Sequence, residues 1–350
     1  DNIGDDGAQL DPPIKSLFVY NSDLANCTPN SGNVRKGLMR DDVFISVHET
    51  FWTDTCMYAD IVLPADTALE RTDCHWAYGS WFLGINKPVI EPLGESINNT
   101  ELFRMLADKM GYVDSKDNAF TQTDEEIIKD ILLEAENEDG ERFNCLTEGI
   151  NYDDVVKNGW ARASTESKRR DFLNNGWPTP SGKIEIKCEA ITAEYPDVSP
   201  FPEYVPEING QFDPKKSKYP IQVLSSASHY FIGDSFQSVP RLQAMQSRPT
   251  VEISIGDAKE RGIEDGDLVR LYNDNGETYC YAVLINGLLE GVCATQKQFK
   301  GSNTPGGLNV NNLNSEMLTD FGKSPCFYSV LVEIEKASDE MMEKAIKQGA

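Results

Sequence analysis

Apolar and polar positions fall into two textures along this chain. Residues 14–20 (IKSLFVY) form a short apolar run of the kind that makes a buried strand, and it ends in a polar loop, NSDLANCTPNSG. Ser31 can cap a helix through VRKGLMRDD, and VFISV at 43–47 predicts the next strand. Strand, polar loop, helix and strand make a βαβ unit, so parallel strands with helices on their faces are expected. A third apolar run at 60–64 (DIVLP) stops at Pro64. Helices with one apolar and one acidic face are expected at 100–110, capped by Thr100, and at 124–136, with the acidic faces read as solvated surface. Ligands bind at loops leaving the carboxyl ends of parallel strands, which singles out 21–30 and 48–55.

The second texture begins after a stretch at 196–219 that holds five prolines and little periodicity, and reads as a linker. Strand-like runs follow at 220–224, 251–254, 267–272, 277–285, 291–295 and 328–335, separated by turn signals such as Asp265-Gly266 and Asn275-Gly276, with a short helix at 256–261. Six strands and one short helix predict a compact, double-psi-like β-barrel. The fold class expected is therefore α/β, a parallel-sheet βαβ portion with packed helices, followed by a six-stranded barrel. The boundaries read as 1–195 for an α/β portion truncated at its start, 196–217 for the linker, 218–336 for the barrel and 337–350 for a terminal helix or tail.

Composition narrows the function. With 350 residues, 39% hydrophobic and 25% charged, the chain is an ordinary globular sequence long enough for two domains. Asp and Glu number 57 against 32 Lys and Arg, a net charge of −25, which argues against bulk binding to nucleic acid or anionic lipid. No apolar run reaches the length of a membrane-spanning helix. The eight cysteines are scattered without a C-x-x-C pair, so buried, reduced thiols are expected and no metal site from this chain alone. Phosphate-loop, dinucleotide-fingerprint and serine-nucleophile motifs are absent, and the three histidines sit in no recognisable triad setting. The polar loops remain. An acidic protein can hold a phosphorylated ligand with backbone amides and hydroxyls, and a carboxylate can accept the paired N–H groups of a guanine edge. Such loops are also ordinary turns.

The strings PPIKSLFVYNSDLANCTPN, VFISVHETFWTDTCMYADIVLPADTALE, KPVIEPLGES with NTELFRMLADKMGY, WPTPSGKIEI, and VEISIGDAKERGIEDGDLVRLYNDNGE with VNNLNSEMLTDFG and CFYSVLVEIE occur here in that order. Together they resemble the molybdopterin-dependent oxidoreductases of the dimethyl-sulfoxide-reductase and formate-dehydrogenase type, ending in a molybdopterin-dinucleotide-binding domain. The resemblance covers about 15–335 and implies a bis-(molybdopterin guanine dinucleotide) molybdenum cofactor. It places Asn21, Ser22 and Asp23 on an Asn-rich cofactor loop, and His48, Glu49, Thr53 and Asp54 on a guanosine-contacting turn. In the barrel it points to Ser226, Ala227, Ser228 and His229 near the pterin, with Gly233, Asp234, Ser235 and Phe236 on the same face, and to Asn311, Phe327 and Tyr328. Among these, His48 and His229 are the best candidates for a general base, and a structural histidine is an equal reading of each.

Three departures matter. Asp23-Leu24 stands where the family has Asn-Pro, Gly233-Asp234 where Asn-Ser is commoner, and Asn314 where Thr closes an N-x-L-T motif. Two of these add negative charge near an anionic cofactor. The family's iron–sulfur segment and its molybdenum-ligating Cys, selenocysteine or Ser have no match here, so the resemblance implies a C-terminal half that is redox-inactive alone. Its partners would be the N-terminal half of the same enzyme and an iron–sulfur electron-transfer subunit. The rival readings are a scaffold that has lost molybdenum, as in some respiratory-complex subunits, and an interaction module built on the barrel. Cytoplasmic and periplasmic locations both stay open.

Overall fold

The computed structural model describes residues 10–112, 120–132, 150–163, 176–320, 322–341 and 343. The chain divides into two compact units, Asp1–Leu63 with Val205–Ala350, and Pro64–Tyr204.

The first unit opens with β1 (Ser16–Tyr20), α1 (Leu24–Cys27), α2 (Ser31–Leu38), β2 (Phe44–Glu49), a 3-10 turn at Asp54–Tyr58 and β3 (Ile61–Pro64). The strands form a sheet in the order β1-β2-β3, and β1 runs parallel to β2 with Ser16 opposite Phe44 and Tyr20 opposite His48. Alternation turns Val19, Ile45 and Val47 onto one face, where they pack with Ala25, Leu38 and Cys56. Asp60 fastens the turn: its backbone N–H donates to Ile45 O at 2.9 Å and its carboxylate accepts from Ile45 N at 2.7 Å.

Helix α2 differs from the sequence expectation. Its cap position is Asn30, at φ 49, without a side-chain capping bond; the Asn30 amide nitrogen donates to Glu316 at 2.8 Å. Ser31 lies inside the first turn, and its buried Oγ has no hydrogen-bond partner. The helix ends at Leu38, short of the MRDD segment.

The second unit contains β4 (Asp73–Trp76), β5 (Phe82–Asn86), α3 (Asn99–Met110), α4 (Asp124–Leu132), α5 (Tyr152–Asn158), β6 (Trp160–Arg162) and α6 (Glu189–Glu194). Strands β4, β5 and β6 form an antiparallel sheet that the sequence did not announce, being short and mostly exposed. Its core joins Leu83 to Ile128, Leu132, Ile150, Val155 and Ala163. Helix α3 is capped by Asn98, whose Oδ1 accepts from Glu101 N at 2.7 Å; Thr100 lies one residue inside and donates its hydroxyl to that same oxygen. The expected continuation of α4 to residue 136 lies outside the described residues.

The first unit resumes with β7 (Ile221–Ser226), α7 (Pro240–Met245), β8 (Thr250–Ser254), α8 (Ile255–Glu260), β9 (Leu268–Tyr272), β10 (Glu277–Ile285), β11 (Val292–Gln296) and β12 (Leu331–Lys336). These six strands close into a barrel in the order β10-β8-β11-β7-β12-β9, so the expected architecture of α/β portion and six-stranded barrel is observed. Pairs β7/β11 and β8/β10 are parallel, and the remaining pairs are antiparallel. Closure leaves no free sheet edge. Inward positions Val251, Ile253, Val269, Leu271 and Val332 are fully buried, and each such side chain contributes roughly 1.5–3 kcal/mol. Of the terminal helix or tail expected over 337–350, residues 342 and 344–350 lie outside the described residues.

Candidate functional site

The parallel pair β1/β2 and the parallel pair β7/β11 both belong to the first unit, and the loops leaving their carboxyl ends meet. The junction is Asn26, which is fully buried. Its Nδ2 donates to Asp23 at 2.6 Å and to Asp54 at 2.9 Å. Its Oδ1 accepts from Gly301 N at 3.0 Å and from the Arg35 guanidinium at 3.1 Å. Its backbone carbonyl accepts from Asn311 Nδ2 at 2.6 Å and Asn309 Nδ2 at 3.1 Å. Both amide donors and both lone pairs of one side chain are thus used, which only an Asn of this length can do between two carboxylates and two N–H donors.

Arg35 completes the junction from α2. Its Nε donates to Ala25 O at 3.1 Å and its Nη1 to Gly307 O at 2.8 Å, and Nη2 stands 3.5 Å from Asp54. The Asp54 carboxylate also accepts from Ser302 N at 3.0 Å. A Cβ on Gly301 would collide with the Arg35 guanidinium and the Gly307 carbonyl, so this close approach requires glycine.

Around the junction lies an acidic rim. Asp23 is buried; its Oδ1 accepts from Thr55 Oγ1 at 2.7 Å and Thr55 N at 3.1 Å. Burial nevertheless raises its pKa above the usual carboxylate value, the bonds from Thr55 and Asn26 opposing and the charges of Asp54 and Asp234 adding to the rise. Glu49 is raised as well, mainly by burial, against backbone N–H groups of Thr50 and Ser22, with Asp234 and Asp23 again adding. The Cys27 thiol is pushed up by burial and by Asp234, to which it is hydrogen-bonded, so it is a poor thiolate. The structure therefore brings Asp23, Glu49, Asp54 and Asp234 together from loops far apart in sequence.

The other residues singled out from sequence fall into three places. Asn21, at φ 49, and Ser22 follow β1 at the rim, Asn21 N donating to His48 O at 3.4 Å. His48 itself is not in a loop: it lies within β2 and is fully buried. Thr53 precedes the 3-10 turn, its hydroxyl 3.4 Å from Cys56 Sγ. On the barrel, Gly233 and Asp234 form the tip of a tight turn closed by Ser235 N to Ile232 O at 3.0 Å, followed by exposed Phe236 at φ 69. Ser226 ends β7 and accepts Lys297 N at 2.8 Å; Ala227 is exposed beside it. Ser228 donates to Gln246 at 2.6 Å, and exposed His229 stands edge-on to Tyr230. Asn311 is a buried strut on Asn26, and Asn314 donates to Phe327 O at 3.1 Å, with Tyr328 exposed next to it. Asn314, Phe327 and Tyr328 do not reach the Asn26 junction.

Asn26, Arg35, Gly301 and Asn309 were not singled out from sequence. Asn26 lay inside the polar loop, but nothing local separates it from its neighbours, and Arg35 reads as one more charge on a short helix.

The arrangement presents half-buried carboxylates able to accept N–H groups, hydroxyls, and backbone at strand carboxyl ends, which suits a polar, hydrogen-bond-rich organic ligand. Among the described residues no group of three or more His, Cys, Asp or Glu could hold a metal ion, and no helix is long and apolar enough to cross a membrane.

Comparison with known proteins matches residues 8–109 to the family model described as molybdopterin oxidoreductase, and residues 221–331 to the molydopterin dinucleotide binding domain. A probable oxidoreductase of Bacillus subtilis is 34% identical over 94% of the chain and 45% of that protein. The dimethyl sulfoxide reductase of Escherichia coli is 27% identical over 94% of the chain and 42% of its own length. The chain thus spans less than half the length of these curated relatives. Acetylene hydratase from Pelobacter acetylenicus shares the fold, with a TM-score of 0.72 at 20% identity over 93% of this chain and 44% of that one.

Proposed function

Because the chain belongs to the molybdopterin oxidoreductase family and carries its dinucleotide-binding barrel, we propose that it holds bis-(molybdopterin guanine dinucleotide) within a larger molybdenum oxidoreductase. The observation that carries this reading is the meeting of two sets of strand-end loops around Asn26, one from the parallel sheet and one from the barrel. The donor set fits such a group. Glu49 and Asp234, both half-buried, accept from the N–H edge of a guanine or pterin. Asn21 and Ser22 border the same rim, and the Ser226–His229 segment offers hydroxyls and an imidazole. Asp23, the carboxylate that stands where the family has an amide, points inward to Thr55 and Asn26, so its charge is spent inside the protein.

When bound, the cofactor supplies a molybdenum centre that exchanges two electrons with a substrate. This chain's residues orient the dinucleotide and exclude water from its inner side, where the Asn26 junction leaves no unpaired amide hydrogen. On this reading the molybdenum ligand and any iron–sulfur cluster belong to another part of the enzyme, and an iron–sulfur partner receives or supplies the electrons.

Metal analysis and pterin fluorescence on the complete protein, purified from molybdate-supplied cells, test the reading. Molybdenum and guanine-dinucleotide pterin are expected together, both lowered by the double variant Glu49→Ala, Asp234→Ala. Absence of both from the folded wild-type protein would favour the scaffold reading.

A further inference from the structure

The acidic rim poses a problem for any ligand with a diphosphate: Glu49 and Asp234 are half-buried at the rim, and the buried carboxylates of Asp23 and Asp54 lie close behind them. Arg35, the cation of the junction, cannot answer it. Its guanidinium is buried and shared among Ala25 O, Gly307 O and the Asn26 amide, with Asp54 beside it. We infer that Lys300 is the cation that holds the diphosphate, an assignment that rests on the proposed dinucleotide site.

Lys300 is placed by bonds on every side. Its backbone N–H donates to Gln237 Oε1 at 2.7 Å, and Gln237 Nε2 donates in turn to Gly233 O at 2.9 Å, at the turn that bears Asp234. The next two amides, Gly301 and Ser302, bind Asn26 and Asp54. Lys300 therefore stands between the barrel's acidic turn and the acidic loops of the sheet. Its ammonium donates to Trp52 O at 2.9 Å, a neutral carbonyl that orients the side chain without consuming its charge. The side chain is half-buried and uses one of its three N–H donors in this bond, leaving two for phosphate oxygens. Trp52 belongs to the loop after β2, so the same contact that fixes the ammonium also ties the two loop sets at the rim.

The test uses guanosine 5′-diphosphate as probe for the nucleotide end of the cofactor, with guanosine as the uncharged control, titrated calorimetrically into the chain. Wild-type protein is expected to bind the diphosphate more tightly than guanosine, with an affinity that falls as salt rises. Lys300→Met is expected to weaken the diphosphate about tenfold, as loss of a charge-assisted hydrogen bond does. It should flatten the salt dependence and leave guanosine binding unchanged, with Lys300→Arg restoring most of the loss. Lys297→Met removes the same charge from the same loop, and an equal loss there would reduce the effect to bulk charge and overturn the assignment. Equal diphosphate binding by wild type and Lys300→Met would overturn it too, leaving the guanosine reading standing. If folded wild-type protein binds neither probe, the dinucleotide site itself fails and the role of Lys300 falls with it.

Discussion

Replacing Asn26 with Leu, which has nearly the same size, tests whether the buried amide joins the sheet loops to the barrel. Five side-chain hydrogen bonds are lost: to Asp23 at 2.6 Å, Asp54 at 2.9 Å, Gly301 N at 3.0 Å, Arg35 at 3.1 Å and, more weakly, Asn309 Nδ2 at 3.4 Å, which keeps Asn26 O and Phe299 O. Bonds to charged groups contribute about 1.5–3 kcal/mol each, but the full sum does not apply. Asp23 keeps two donors from Thr55, while Asp54 keeps Ser302 N and has Arg35 within 3.5 Å. What goes uncompensated is the Gly301 N–H and one oxygen of Asp23, a net loss of about 3 kcal/mol. For a unit of roughly 200 residues this lowers the melting temperature by about 6–12 °C. Calorimetry reads the loss, and native-state hydrogen exchange reads its location: the amides of Gly301 and Ser302 should lose protection while Val251 in the barrel core keeps its own. A loss under about 1 kcal/mol with Gly301 still protected would refute the account, since the junction would then carry no share of the docking.

Three further outcomes follow from the same geometry. Gly301→Ala drives a Cβ into the Arg35 guanidinium and the Gly307 carbonyl and should destabilise the chain by about 1–3 kcal/mol in denaturant titration, where a neutral result would show that the loop yields freely. Glu49 has a folded-state pKa above its ordinary value of 4.5, so the native state binds more protons and stability falls as pH rises between those two values. Glu49→Gln should therefore melt higher than wild type at about pH 7, with the gap closing toward about pH 4; a constant gap would count against burial as the cause. Thr55→Val removes a hydroxyl that donates to Asp23 at 2.7 Å and accepts from Ala25 N at 3.1 Å, and should cost about 1–3 kcal/mol. Because that bond favours the ionised carboxylate, the loss measured by urea unfolding should be larger at about pH 7 than at about pH 4, and equal losses would contradict the sign.

The legible part of this protein was its strands and its loop chemistry. The runs at 14–20, 43–47 and 60–64 and the six later ones specify strands because apolar, β-branched residues bounded by turn formers have few other ways to leave water. The polar loops after β1 and β2 were visible as candidate ligand loops by the carboxyl-end rule alone. Helix starts were less legible. Ser31 and Thr100 are good capping residues by type, yet Asn30 and Asn98 hold those positions, since the choice between neighbouring polar residues one or two positions apart depends on what the flanking chain packs against.

The acidic character of the loops was equally plain from the residues, but not where their charges point. Asp23 reads as a carboxylate facing a ligand and is instead consumed by Thr55 and Asn26, while His48 is a buried strand residue. That Asn26, Arg35, Asp54 and Gly301 form one junction emerges from the folded chain alone, for Gly301 lies 275 positions along from Asn26. Local propensity acts over a turn or a strand, whereas a buried amide is satisfied by whatever donors and acceptors the closed barrel and the parallel sheet carry into reach, and that is set by packing across the whole unit.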